Sequence, residues 1–163
     1  MRPLPLFCTA ALLAAALPVF AARDIDKQVG QRIEKVRTTA YTHGAAENGT
    51  HPRSNAIGTR LKSGALSSAA ADWSHWPVGT RFRVVETGRE HIIDDVGSAI
   101  VGTNTIDLFK PSSRAMHQWG VRDVTIEILE WGSPQESLEI LMSRRKSRPA
   151  RKMVERLLVQ NAT

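Results

Sequence analysis

The chain has 163 residues, a formal net charge of +6 and one cysteine, Cys8. That length suits one domain with modest extensions. A single cysteine excludes an internal disulfide framework, and the basic excess points to anionic partners.

The first element reads as a leader. Met1-Arg2 precedes an apolar run from Leu4 to Leu17, followed by Pro18-Val19-Phe20-Ala21-Ala22. This is the basic region, apolar core and small-residue cleavage site of a secretory signal, too short to span a bilayer comfortably. Residues 1–21 are therefore expected to be a signal peptide. Export is expected, to the periplasm, the cell envelope or the medium. Cleavage removes Cys8 and leaves no thiolate chemistry.

Residues 22–36 are expected to form an arm or short helix, with Ile25, Val29 and Ile33 at near-helical spacing. Alternation and turn residues predict strands over 36–41, 65–71, 81–86, 91–94, 105–109 and 124–129. Residues 43–55 read as a surface loop, and Thr87-Gly88-Arg89-Glu90 as a hairpin turn. Pro111-Ser112-Ser113 opens a short helix that Gly120 ends. Gly132-Ser133-Pro134 stops the last strand, and helical segments follow over 135–142 and 153–159. The predicted fold class is mainly β: a small six-stranded barrel with short helices and a basic helical C-terminal extension over 132–163. In the last 20 residues Arg144, Arg145, Lys146, Arg148, Arg151, Lys152 and Arg156 face only Glu155. An anionic wall polymer or membrane surface is the expected partner of that segment, with nucleic acid not expected. The extension reads as an appendage separable from the barrel, with packing on the barrel through Leu138, Leu141, Leu157 and Leu158 as the alternative.

The segment Ile92-Ile93-Asp94-Asp95-Val96-Gly97-Ser98-Ala99-Ile100-Val101-Gly102, followed by Ile106-Asp107-Leu108-Phe109, carries the candidate chemistry. It sets carboxylates among apolar runs on a Gly-rich turn. Desolvation there raises a carboxyl pKa, as a general acid near neutral pH requires. Turn aspartates capping local amides are the alternative.

Asp95-Val96-Gly97-Ser98-Ala99-Ile100-Val101-Gly102 with Ile106-Asp107-Leu108-Phe109 resembles the signature of the 3D domain, named for three aspartates. Asp72-Trp73-Ser74-His75-Trp76-Pro77-Val78-Gly79-Thr80 resembles the stretch holding its other aspartate. Thr39-Ala40-Tyr41, Gly58-Thr59-Arg60-Leu61-Lys62-Ser63-Gly64, Trp119-Gly120 and Val124-Thr125-Ile126-Glu127-Ile128-Leu129 resemble its opening strand, turn, closing turn and last strand. The resemblance runs colinearly over residues 37–131. It departs from the family at Val96, Ser98 and Val101, where Thr, Gly and Lys are usual.

The resemblance implies a double-psi β-barrel. The family includes the catalytic domain of A-type membrane-bound lytic transglycosylases and the stationary-phase survival proteins of spore-forming bacteria. It further implies cleavage of peptidoglycan at the β-1,4 bond between N-acetylmuramic acid and N-acetylglucosamine, with 1,6-anhydro product. On that basis Asp107 is the expected acid/base, Asp95 its polarising or sugar-holding partner, and Asp72 the third site position. Tyr41, Lys62, Trp76, Gly97 and Ser98 are expected to line the substrate site. Asp94 should face the other side of its strand from Asp95. The histidines show no metal-ligand spacing, so no metal or cofactor is expected. A monomer is expected. A glycan-binding barrel without catalysis is the alternative function. An aspartic protease is disfavoured because it needs two such motifs and the chain has one.

Overall fold

The computed structural model describes residues 29–42 and 54–160. The expected signal peptide, most of the N-terminal arm and most of the 43–55 loop lie outside them. Six strands close into a barrel in the order β1-β5-β2-β4-β3-β6. They are β1 (Arg32–Tyr41), β2 (Leu66–Ala71), β3 (Arg81–Val84), β4 (Arg89–Val96), β5 (Ile106–Phe109) and β6 (Arg122–Glu130). β1 pairs with β5, and β2 with β4, in parallel. The other four pairings are antiparallel. This closed mixed barrel of six strands is consistent with the double-psi arrangement.

The alternation that predicts each strand also fills the interior. Ala69 and Ala71 of β2, Phe82 and Val84 of β3, Ile93 of β4, Ile106 and Leu108 of β5, and Val124, Ile126 and Ile128 of β6 are buried together. β1 begins at Arg32, so Ile33–Lys35 belong to a strand rather than to a leading helix. The register slips between Ile33 and Val36, and Lys35 there takes a φ of 56°. A bulge of this kind breaks the period of two, which is why the stretch reads as helical spacing.

Three helices flank the barrel: α1 (Ser113–Trp119), α2 (Pro134–Met142) and α3 (Arg148–Gln160). The Ser112 hydroxyl caps α1 by accepting from the Ala115 amide, and Ser133 caps α2 by accepting from Glu136. The extension is not an appendage. Leu141 of α2 and Ala150, Met153, Val154 and Leu157 of α3 are buried in the same core as the strands. The Ser137 hydroxyl accepts from the Val78 amide at 2.9 Å and so joins α2 to the barrel's Pro77 turn. Positive charge along α3 occupies only the face that the core does not use: Arg148, Arg151, Lys152 and Arg156 are exposed.

Candidate active site

Strand register brings the two motif carboxylates onto one line. Thr39 of β1 sits opposite Asp107 of β5, Asp107 opposite Ala70 of β2, and Ala70 opposite Asp95 of β4. Paired residues point to the same face, and their neighbours Ala69, Leu108 and Val96 pack inward. Thr39, Asp107, Ala70 and Asp95 therefore form a row on the outer face of the barrel wall. The two aspartates are two strands apart, about 10 Å between Cα atoms at normal strand spacing. The residue between them is alanine, so nothing bulky separates the carboxyl groups.

Asp107 accepts from a hydroxyl, and Asp95 from three neutral donors. The Thr39 hydroxyl donates to Asp107 Oδ1 at 2.7 Å. Asp95 Oδ2 accepts from the Tyr41 hydroxyl at 2.9 Å, while Oδ1 accepts from the Ala56 and Val96 amides, both at 2.9 Å. Burial pushes the Asp95 carboxyl above the usual aspartate value, and Asp94 adds to the rise. The Val96 amide, the Tyr41 hydroxyl and the Ala56 amide oppose it. Burial drives the Tyr41 hydroxyl far above its ordinary range, reinforced by Asp95 and more weakly by Asp94 and Asp107. Tyr41 thus stays a hydrogen-bond donor at any physiological pH, braced edge-on by Phe109 at 5.5 Å.

Asp94 does not face away from its neighbour. Ile93 pairs with Ala69 and Asp95 with Ala70, so Asp94 is the extra residue of a bulge. The slip cancels the alternation expected of adjacent strand residues. Asp94 Oδ2 accepts from the Ser68 hydroxyl at 2.9 Å and from Lys62 Nζ at 3.0 Å. It is 1% exposed, and its Oδ1 has no hydrogen-bond partner. Lys62 therefore meets Asp94 on the side of the two motif aspartates and is positioned by the loop before β2.

Asp72 is not in the row. It lies just past β2, 1% exposed. Its Oδ1 accepts from the Ser74 amide at 2.9 Å and hydroxyl at 2.6 Å. Its Oδ2 accepts from the Gly102 amide at 2.7 Å and from Arg156 at 2.8 Å. Gly102 lies in the loop joining Asp95 to Asp107, with a φ of +95°. Asp72 is thus a knot that ties that loop to α3. Trp76 is also misplaced by the sequence reading. It is 1% exposed and stacked on Trp131 at 5.9 Å, so it belongs to the core and cannot stack on a sugar. Gly97 begins the turn Ser98–Ile100, and a Cβ there would meet Ile100 at 2.5 Å. Ser98 stands exposed on that turn.

Thr39, Ala56 and Ser68 complete the site and were not singled out from sequence. Thr39 had a readable signal, since it lies two residues before Tyr41 and shares its face. Ala56 contributes only an amide, and no side-chain pattern reports that. Among the described residues no group of three or more His, Cys, Asp and Glu could hold a metal ion.

Residues 67–130 match the family model of the 3D domain. No curated protein matches the chain. The match spans β2 to β6 and includes Asp94, Asp95 and Asp107, and β1 closes the barrel around it. The family is associated with lytic transglycosylase-like domains. Over residues 67–130 the barrel of this chain is similar to the 3D domain.

Proposed function

We propose that this protein is an exported lytic transglycosylase that cleaves the β-1,4 bond between N-acetylmuramic acid and N-acetylglucosamine in peptidoglycan. The observation that carries the reading is the row Thr39–Asp107–Ala70–Asp95, which sets two carboxylates on one face across an alanine floor. In this reaction the muramic acid's own O6 hydroxyl attacks C1. The bond from C1 to the leaving oxygen breaks, and the 1,6-anhydro ring closes. Because the nucleophile is part of the substrate, no water has to be positioned and its effective concentration is high. One carboxyl group serves both proton transfers. Asp107 donates to the leaving oxygen and, as carboxylate, takes the O6 proton. Asp95, fixed by Tyr41 and two amides, orients the sugar and keeps negative potential beside the cationic transition state. Lys62 and the exposed Ser98 flank the sugar path.

Val101 at the family's Lys position removes one cation from the loop between the aspartates and leaves Lys62 to face the carboxylate cluster. The exposed basic face of α3 and of the connection that precedes it is the part proposed to hold the protein on an anionic wall polymer or membrane surface. Among the described residues no helix is long and apolar enough to cross a membrane.

Digestion of purified peptidoglycan followed by mass spectrometry tests the reaction. Anhydro-muropeptides are expected. Reducing-end muropeptides would assign a hydrolase, and no product with retained binding would assign a non-catalytic glycan-binding barrel.

A further inference from the structure

A second surface lies away from the carboxylate row, where α2 turns into α3. Backbone hydrogen bonds build the turn. The Arg144 amide donates to the Leu141 carbonyl at 2.9 Å, the Ser147 amide to Arg144 at 2.9 Å, and the Arg151 amide to Ser147 at 3.0 Å. Leu141, Ala150 and Val154 on either side of the turn are buried in the core, which fixes it on the barrel. The Arg151 guanidinium donates back to the Arg145 carbonyl at 3.4 Å. Arg145, Lys146 and Arg151 line one cavity of about 580 Å³, together with Val154, Glu155 and Leu158.

The three cations of that cavity share a single acid, Glu155. Among the described residues the ion pairs engage Lys62, Arg81, Arg83 and Arg156, and none engages Arg145, Lys146, Arg151 or Glu155. Arg148 and Lys152 add exposed charge on the same helix. Apolar side chains stand among these cations. Leu158, in the cavity wall, is 50% exposed, Val159 is 67% exposed, and Met142 at the end of α2 is 40% exposed. Leu158 follows Arg151, and Val159 follows Lys152, by seven residues. Each apolar residue therefore lies two turns, about 10 Å, beyond a cation on one stripe of α3. The core-facing stripe is already filled by Ala150, Met153, Val154 and Leu157, so Leu158 and Val159 belong to a face that the fold does not bury. A hydrophilic polyanion would match the cations and leave these two side chains in water. An anionic phospholipid surface meets both, with phosphates for the cations and the boundary between headgroups and acyl chains for the apolar tips.

We propose that the α2–α3 turn and the outer face of α3 dock on an anionic phospholipid membrane, with a lipid phosphate seated among Arg145, Lys146 and Arg151 and Leu158 dipping into the headgroup–acyl boundary. This rests on the attachment proposed above for the basic segment, and commits that attachment to lipid rather than to a wall polymer. α3 lies on the surface without crossing it, because its other apolar face belongs to the barrel core.

Co-sedimentation of the protein processed after Ala21 with vesicles of phosphatidylglycerol and phosphatidylcholine in equal parts is the test. Pure phosphatidylcholine vesicles and a short poly(glycerol phosphate) are its other two arms. The mixed vesicles should bind, pure phosphatidylcholine should not, and binding should weaken as salt is raised. Arg145→Gln, Lys146→Gln and Arg151→Gln combined change only exposed side chains. They should weaken vesicle binding by about 10²-fold, about fivefold for each charge. Leu158→Ser should weaken vesicle binding by about threefold or more and leave poly(glycerol phosphate) binding unchanged. Glu155→Gln should tighten vesicle binding by about twofold or more. A circular-dichroism melt that matches the parent's shows that each variant keeps the fold. No glycan is present, so the result stands apart from whether the protein cleaves peptidoglycan. The proposal is overturned if the parent does not bind the mixed vesicles, if it binds pure phosphatidylcholine as well, or if the triple variant binds like the parent. It is also overturned if Leu158→Ser leaves vesicle binding unchanged. Binding to poly(glycerol phosphate) alone would keep the anionic attachment and assign it to a wall polymer, and binding to neither would end the attachment as well.

Discussion

Asp95 and Asp72 come from the same family signature, and their surroundings differ in one decisive respect. Asp72 is almost fully buried, accepts four hydrogen bonds, and has Arg156 as a cationic partner. Asp95 is half-buried, and all three of its donors are neutral: two amides and a tyrosine hydroxyl. A carboxylate balanced by a cation and saturated with donors is stable as an anion and can hold structure. A desolvated carboxylate without a cation has a raised pKa and remains available for proton chemistry. The comparison therefore separates Asp95, which the proposed reaction uses beside Asp107, from Asp72, which holds architecture. Asp94 falls between the two classes. It is buried and paired with Lys62, yet one of its oxygens has no partner.

The sharpest way to break this division is Asp107→Asn. The amide is nearly isosteric and cannot supply an acidic proton, so the loss falls on the chemical step. Turnover of peptidoglycan should drop by about 10² to 10⁴-fold, with glycan binding retained. Muropeptide release measured beside a glycan pull-down checks both halves. Retention of more than about a tenth of the rate would move the acid to Asp95 or Asp94.

Asp72→Ala should show the opposite pattern. It strands the Gly102 amide and Arg156, and removes the cap on Ser74. The expected cost is about 2–4 kcal/mol in denaturant unfolding, at the modest end for a buried pair because Arg156 is half in solvent. Turnover per folded molecule should fall far less than in Asp107→Asn. A large loss of turnover at unchanged stability would return Asp72 to the chemistry.

Much of this was legible before any coordinates. The period-two pattern located strands such as β3 and β6, which have one face on a closed core, while β2 was read from its run of small residues. The Gly97 and Gly102 positions fixed the register of the motif. Three features were not legible, each for a physical reason. The bulge at Asp94 shifts register through a pairing with β2 that no local pattern encodes. Trp76 reads as core or rim packing more readily than as a sugar platform, and its stacking on Trp131, 55 residues away, places it in the core. The extension looked like a solvated tail because its charges are counted easily. Its buried stripe of Ala150, Met153, Val154 and Leu157 is spaced for a helix but says nothing about which surface it covers.

A finer test of the comparison uses pH. The folded-state pKa of Asp95 is raised, so the folded protein takes up this proton more readily than the unfolded chain does. Its contribution to stability is fully present below the unfolded aspartate value, about 4, and is lost as pH rises through the folded value. The parent should therefore lose melting temperature relative to Asp95→Asn as pH rises from about 4 to about 7. The difference between the two proteins, measured across that range, isolates this group from the other carboxylates. A parent that gains on the variant with rising pH would mean that Tyr41 and the two amides stabilise the anion more than burial penalises it.

The smallest effect, and the one that probes the knot itself, is Arg156→Met. Asp72 keeps the Ser74 and Gly102 donors when the guanidinium is gone, and the methionine still covers part of the barrel surface. Because the arginine is 45% exposed on its side chain, water and salt already screen the pair. The expected cost is about 1 kcal/mol or less, and it should shrink as ionic strength is raised. A double-mutant cycle with Asp72→Ala separates this contact from the others Asp72 makes, provided neither variant creates a new one. A positive coupling would show that α3 and the loop carrying Gly102 are joined through charge as well as through apolar packing. Zero coupling would mean that the buried side chains of Met153, Val154 and Leu157 alone hold α3 in place, and that the Asp72 knot is complete without the extension.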